Sequence, residues 1–194
     1  MPGFLVILSA PSGGGKTTVV ERLLKRHTDW IRSISMTTRP RREKEVEGQD
    51  YFFVSEKDFR KMQSKGELLE SAQVFDRFYG TPKKFVMDQL AGGKTVLLAI
   101  DVQGAQQIRE SLSGQIALLS LFILPPSVRV LRERLEGRKT ESSEEVEKRI
   151  QTAQDEIKEA AFYDYSVINH KLEDTVVEVE KHIADFAKRL IERR

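Results

Sequence analysis

The chain has 194 residues, of which 32% are charged, a formal net charge of +2 and no cysteine. That length suits one domain with a substantial core, and the near-neutral balance argues against nucleic acid as a partner. Disulfides and thiolate metal sites are excluded. No apolar run reaches the length of a signal peptide or membrane span, so a soluble, cytoplasmic protein without membrane attachment is expected.

Taken in chain order, Phe4–Ser9 reads as a buried strand. Residues 10–17, Ala-Pro-Ser-Gly-Gly-Gly-Lys-Thr, follow at once and lead into a helix over Lys16–Arg26. This is the phosphate-binding signature GxxxxGK[ST] between a strand and a helix, with Ala10 replacing the first glycine. Glycines let backbone N–H groups turn inward around phosphate oxygens, and the helix aims its positive end at the same anion. Lys16 adds a mobile charge and the Thr17 hydroxyl is a candidate magnesium ligand. A plain glycine-rich connector with a surface lysine would not require that flanking strand and helix.

Residues 33–81 break the strand–helix alternation with short aromatic-rich strands (Ser33–Met36, Tyr51–Val54, Leu68–Phe75) around a helix capped by Ser55. The expectation is an inserted, partly antiparallel lobe. The alternation resumes with a strand over Thr95–Ile100 and a helix burying Ala105, Ile108 and Leu112. A strand over Ile116–Leu124 follows, ended by Pro125-Pro126, and Ser127 caps a helix with Val128, Leu131 and Leu135 on one face. Residues 137–148 are polar and turn-forming, the pattern of a lid, and end in a capping box of Ser142 with Glu145. The helix so opened turns Val146, Ile150, Ala153 and Ile157 inward. A short strand, Tyr165–Ile168, precedes a closing helix with Val176, Val179, Ile183, Phe186 and Leu190 on its apolar face. Such alternation predicts an α/β fold in three layers, a parallel sheet covered on both faces.

Several clusters could carry chemistry. Arg32, Arg39, Arg41, Arg42 and Lys44 face a single acid, Glu43, either to grip an anion or as a solvated loop. Arg129, Arg132, Arg134, Arg138 and Arg149 run through the expected lid, where mobile arginines could close on a phosphoryl group. Interleaved glutamates instead assign Arg129 and Arg132 to an ordinary solvated helix face, and Arg138 could equally serve a helix end. Asp101 ends a core strand at the edge where parallel sheets bind ligands, and it could hold a metal or cap the next helix. Glu70 lies on a strand with apolar neighbours. Facing inward, it needs donors such as the two parallel N–H groups of a guanine edge; facing outward, it is an edge-strand glutamate in solvent. Tyr51, Phe75 and Tyr79 read as core by spacing, Thr81 as an N-cap before Pro82, and Trp30 as packing. His27, His170 and His182 share no metal or catalytic spacing.

An ordered set of segments resembles the guanylate kinases of bacterial and cytosolic type over essentially the whole chain. These are Ser9–Thr17, Ser35–Arg42 (SMTTRPRR), Gly48–Phe53 (GQDYFF), Tyr79–Thr81, Ile100–Gln107 (IDVQGAQQ), Phe122–Ser127 (FILPPS), Arg134–Arg138 (RLEGR) and Val167–Asn169. The resemblance implies a single domain over 1–194, with core segments 1–32, 82–125 and 156–194, a GMP-binding lobe over 33–81 and a mobile lid over 126–155. It implies magnesium-dependent transfer of the γ-phosphoryl of ATP to GMP, with dGMP a further candidate acceptor. Carried over by position, Ala10, Pro11, Ser12, Gly13, Gly14, Gly15, Lys16, Thr17, Thr18, Arg134 and Asn169 would bind ATP, and Thr17 the metal. Ser35, Glu70 and Thr81 would read guanine, while Arg39, Arg42, Tyr51 and Tyr79 would hold the GMP phosphate. Asp101 would stand between GMP and the metal, and Lys16, Arg138 and Arg149 would stabilise the transferred group.

The chain departs from the family pattern in placing Pro40 one position early, Lys139 where a glycine is usual and His170 where an aspartate commonly follows the asparagine. A kinase for another nucleoside monophosphate would share the scaffold. Non-catalytic guanylate-kinase-like binding modules typically lose the phosphate loop, which this chain keeps. A switch GTPase would need an Asn-Lys-x-Asp motif, which this chain lacks.

Overall fold

The computed structural model describes residues 3–74, 76–137 and 143–192. Its centre is a five-stranded parallel sheet in the order β2–β7–β1–β8–β9. The strands are β1 (Phe4–Ser9), β2 (Ile31–Arg32), β7 (Thr95–Ala99), β8 (Leu118–Leu124) and β9 (Tyr165–Ile168). Strand β1 is buried along its whole length and is the middle strand, so its side chains are divided between two cores. Phe4, Val6 and Leu8 point to one face and pack with Val19, Val20 and Leu23 of α1 (Lys16–Arg26) and Val176, Val179 and Ile183 of α7 (Leu172–Glu192). Leu5 and Ile7 point the other way, toward Val86 and Leu90 of α3 (Lys83–Ala91) and Ala105, Ile108 and Leu112 of α4 (Val102–Leu112). Two-residue alternation on β1 therefore produces the expected three layers.

A second sheet, ordered β4–β3–β6–β5, forms the inserted lobe. It comprises β3 (Met36–Thr37), β4 (Phe52–Phe53), β5 (Leu68–Val74) and β6 (Arg77–Pro82), with helix α2 (Glu56–Ser64). Ser55 caps α2 through the Asp58 N–H, as expected from sequence. Two expectations need correction here. The strand expected at Ser33–Met36 is split between the two sheets: the Ser33 N–H reaches Leu97 O of the core sheet, whereas Met36 pairs with Phe52 and Gly80 in the lobe. Strand β6 carries Gly80 and Pro82 and has no strand signal of its own in the sequence; pairing with β3 and β5 makes it a strand. Thr81 is therefore a strand residue, Pro82 is the α3 N-cap, and no side chain caps that helix.

Helices α5 (Val128–Glu136) and α6 (Ser143–Lys158) form a third packing unit through Leu131, Leu135, Val146, Ile150 and Ala153. Ser127 caps α5 through the Val130 N–H. Val128, expected inward, is instead 39% exposed, because the buried stripe starts one turn later at Leu131. Arg129 pairs with Glu133, and Arg132 with Glu147 and Glu136, which makes both ordinary surface ion pairs. Phe75, expected in the core, and Arg138, Lys139 and Ser142 lie outside the described residues. A 3-10 turn over Glu159–Phe162 leads from α6 into β9. No helix among the described residues is long and apolar enough to cross a membrane.

Candidate active site

The carboxyl ends of β1 and β7 open into a cleft of about 1000 Å³ between the core sheet, the inserted lobe and α6. Its core wall is the loop Ala10–Thr18. Gly13 (φ 82°) and Gly15 (φ 97°) are in left-handed conformations that L side chains resist. Space demands glycine too, since a Cβ on Gly15 would lie 2.5 Å from Asn169 Nδ2. Asn169 is 5% exposed and donates to Gly14 O at 3.0 Å, while its own Oδ1 accepts from Thr175 Oγ1 at 3.1 Å. Arg134 reaches the same backbone, donating to Gly14 O (3.4 Å) and Asn169 O (3.2 Å). Both residues line a smaller adjoining cleft of about 300 Å³ with Gly13, Gly15, Thr18 and His170. They thus brace the loop from behind and face a second cleft.

Lys16 sits at the first position of α1 and donates from Nζ to Ile100 O at 2.8 Å. Burial pulls its ammonium below the ordinary lysine value, against the carboxylates of Asp101, Glu156 and Glu70, which hold it up. Thr17 is exposed at the cleft mouth beside it. Among the described residues no group of three or more acidic or histidine side chains could cage a metal. A hydroxyl at the head of a phosphate loop suits a hard cation that takes most of its ligands from phosphate and water. The donor set therefore fits magnesium carried in with a nucleotide.

Asp101 takes the capping role that its position allowed. Its Oδ1 accepts from the Gly104 N–H at 2.9 Å, capping α4, and the residue also lines the cleft. Ser12 ties the loop to α6 at two points, with its N–H donating to Glu156 Oε2 at 3.2 Å and its Oγ accepting from Arg149 Nη1 at 3.3 Å. Burial raises the Glu156 carboxyl above its usual value. Glu156 carried no local signal in the sequence, because its partner lies 144 positions away.

The lobe forms the opposite wall. Ser35, Arg39, Arg41, Arg42, Tyr51, Glu70 and Tyr79 line it, as does Arg77, which the sequence did not single out, while Arg32 lines the cleft from β2 of the core sheet. Arg39 donates to Glu45 Oε1 at 2.7 Å and lies over the Tyr51 ring at 5.5 Å, while Arg42 is half exposed. Burial is the largest single influence and acts against the Arg39 charge, but the Glu45 bond, the Glu45 charge and Tyr79 together outweigh it and hold the guanidinium above its ordinary value. Burial also pushes the Tyr51 phenol up. Tyr51 and Tyr79 meet edge-on at 6.0 Å. They are half-buried cleft residues, so the reading of both as core on spacing is corrected.

Glu70 faces inward, which removes the solvent-facing reading: it is 5% exposed, and its Oε1 accepts from Thr81 Oγ1 at 2.6 Å. Burial, together with the negative Asp101, lifts its carboxyl to about 7, although the Thr81 hydrogen bond and Lys16 act in the opposite direction. A buried acid at this position can accept two parallel donors from a planar ligand, facing the phosphate loop across one cavity.

The sequence profile described as guanylate kinase matches residues 3–186. The chain is 48% identical over 177 residues to a guanylate kinase of Wolbachia sp. subsp. Brugia malayi, covering 91% of this chain and 90% of that one. It is 44% identical over 178 residues to a guanylate kinase of Clostridioides difficile (strain 630), covering 92% and 85%. The crystal structure of guanylate kinase from Anaplasma phagocytophilum superposes with a TM-score of 0.79 at 34% identity, over 94% of this chain and 85% of that one. Likeness of this extent in both sequence and fold leaves one assignment: the chain belongs to the guanylate kinase family.

Proposed function

We propose that this chain transfers the γ-phosphoryl group of ATP to GMP, giving ADP and GDP, and that the large cleft is where the two nucleotides meet. The observation that carries the reading is a phosphate loop and a buried inward-facing carboxylate, Glu70, on opposite walls of one cavity. A GMP phosphate oxygen attacks the γ-phosphorus while the bond from that phosphorus to the β–γ bridging oxygen breaks, and ADP leaves with the electron pair. The GMP phosphate is already mostly dianionic near neutral pH, so alignment and charge neutralisation are the protein's tasks. Loop amides from Ala10 to Thr18 and Lys16 hold the ATP phosphates, with Arg134 and Asn169 on the base side. Thr17 would hold a magnesium ion brought in with the nucleotide, and the ion would supply charge neutralisation. Ser35, Glu70 and Thr81 read guanine, and Arg39, Arg42, Tyr51 and Tyr79 hold the acceptor phosphate. Asp101 sits between the acceptor and the metal, while Arg138 and Arg149 close from a lid spanning 126–155 over a GMP-binding lobe spanning 33–81. The setting is the cytoplasm, with nucleotides rather than nucleic acid or membrane as partners, and dGMP as a second acceptor.

The test is ADP formation from ATP with AMP, GMP, CMP or UMP. GMP is expected to exceed the others by about 10²-fold or more in kcat/KM, as a site built on buried hydrogen bonds can achieve. Chelation of magnesium should abolish turnover. A preference for another nucleotide overturns the guanine reading.

Acceptor affinity should also depend on pH. Glu70 titrates near 7 in the folded chain against an ordinary 4.5, so the folded protein favours its protonated form. Accepting two N–H bonds requires the ionised form, so KM for GMP should rise as pH falls through 7. With that midpoint, the change from pH 8 to pH 6 is about tenfold. The same raised value makes folding stability fall as pH climbs from 4.5 to about 7. Parallel profiles of Glu70→Gln provide the comparison, because the acceptor phosphate titrates identically in both. Superimposable profiles would show that Glu70 is not the titrating group.

A further inference from the structure

We infer that Gly104 is a positioning residue for acceptor recognition: its missing side chain is the space in which the Glu70 carboxylate is held against the cleft. The inference rests on the guanine-reading role of Glu70 and concerns what fixes that carboxylate. Gly104 is the third residue of α4 and is buried. A Cβ built on it would lie 2.5 Å from Glu70 Oε2, 2.9 Å from Cδ and 3.3 Å from Cγ. All three nearest atoms belong to one side chain, so the methyl would displace Glu70 and nothing else so directly.

The backbone gives no other reason for glycine at this position. Gly104 is absent from the positive-φ glycines, and its N–H makes an ordinary cap bond to Asp101 Oδ1 that alanine would keep. By local preference alanine is the better residue in a helix. Nor can α4 simply move away. Gln107 clamps it to β5 at Ser71, the residue after Glu70, donating from Nε2 to Ser71 O (2.8 Å) and accepting from Ser71 N–H at Oε1 (3.1 Å). Gln103 adds a bond to Gln73 O two residues further along the strand. With helix and strand pinned together beside the contact, the Glu70 side chain is the part that yields. Its Oε1 is already bound to Thr81, so any displacement shifts both oxygens relative to the acceptor base. The cost then falls on recognition rather than on folding.

The experiment is steady-state kinetics of Gly104→Ala with GMP, with IMP (which lacks the exocyclic amine) and with ATP. KM for GMP is expected to rise about tenfold or more, as a misplacement approaching 1 Å at a recognition group allows, while KM for ATP stays within about twofold. Preference for GMP over IMP should shrink, and in a Glu70→Gln background the same substitution should have little further effect. An unchanged KM for GMP, or equal penalties in both backgrounds, overturns the inference. If Gly104→Ala does not fold, the Glu70→Ala/Gly104→Ala double variant should recover thermal stability; failure to recover also overturns it. The unaltered chain separates this result from the parent reading. Loss of GMP preference there removes both, whereas intact preference with an unaffected Gly104→Ala removes only the positioning role.

Discussion

Replacing Lys16 with methionine is expected to lower kcat by about 10²–10³-fold, the range seen when one preorganised donor to a developing oxyanion is removed. The fold should survive, because among the described residues Nζ makes one hydrogen bond, to Ile100 O at the cleft edge. Losing one such bond costs about 1 kcal/mol, or roughly 2–4 °C in Tm for a chain of this size. Part of that is offset by relieving a buried ammonium whose pKa burial already depresses. Methionine keeps the length and apolar stem of lysine, so the α1 start and the loop should keep their shape. Kinetics and thermal melts on the same preparation check both halves. A near-normal rate with an intact melt would overturn the assignment of residues 10–17 as the donor-phosphate loop.

The second large effect concerns acceptor choice. Glu70→Gln should reduce kcat/KM for GMP by about 10²–10³-fold, since it replaces a charged acceptor facing two N–H donors with an amide that offers one of its own. ATP affinity should change by no more than about threefold, because Lys16 and the loop amides are untouched. Stability near neutral pH should hold or improve. The glutamine is uncharged, fits the same pocket and can still accept from Thr81 Oγ1, whereas wild-type Glu70 is ionised there only against the cost of burial. Equal losses for both substrates would show that the substitution damages the cleft generally rather than reading guanine.

How far the site was legible in the sequence differs from residue to residue. The loop was legible because its requirements are local: glycines at positive φ, a lysine and a threonine at fixed offsets, all within one strand–turn–helix. Ser55 and Ser127 were legible for the same reason, since a cap bond spans only three residues. Thr81 was misread because the same pairing of threonine and proline that announces a cap was recruited into β6, where its hydroxyl serves Glu70. Strands β2 and β3 have only two residues each, too short for any periodic signal, and exist because neighbouring strands offer them partners. That Glu45, Tyr51 and Phe53 surround Arg39 was not legible, because no local pattern announces those contacts.

By itself, then, the sequence determined the layered α/β fold, the phosphate loop and the family pattern, because these rest on periodicity and on contacts between residues close in the chain. The tertiary structure alone decided which way Glu70 faces, why Gly104 has no side chain, that Glu156 and Arg149 both meet Ser12, and that Asn169 braces the loop. Each of those depends on groups dozens to more than a hundred positions apart. Burial and charge at such a point belong to the folded cavity, and no local stretch of chain encodes them.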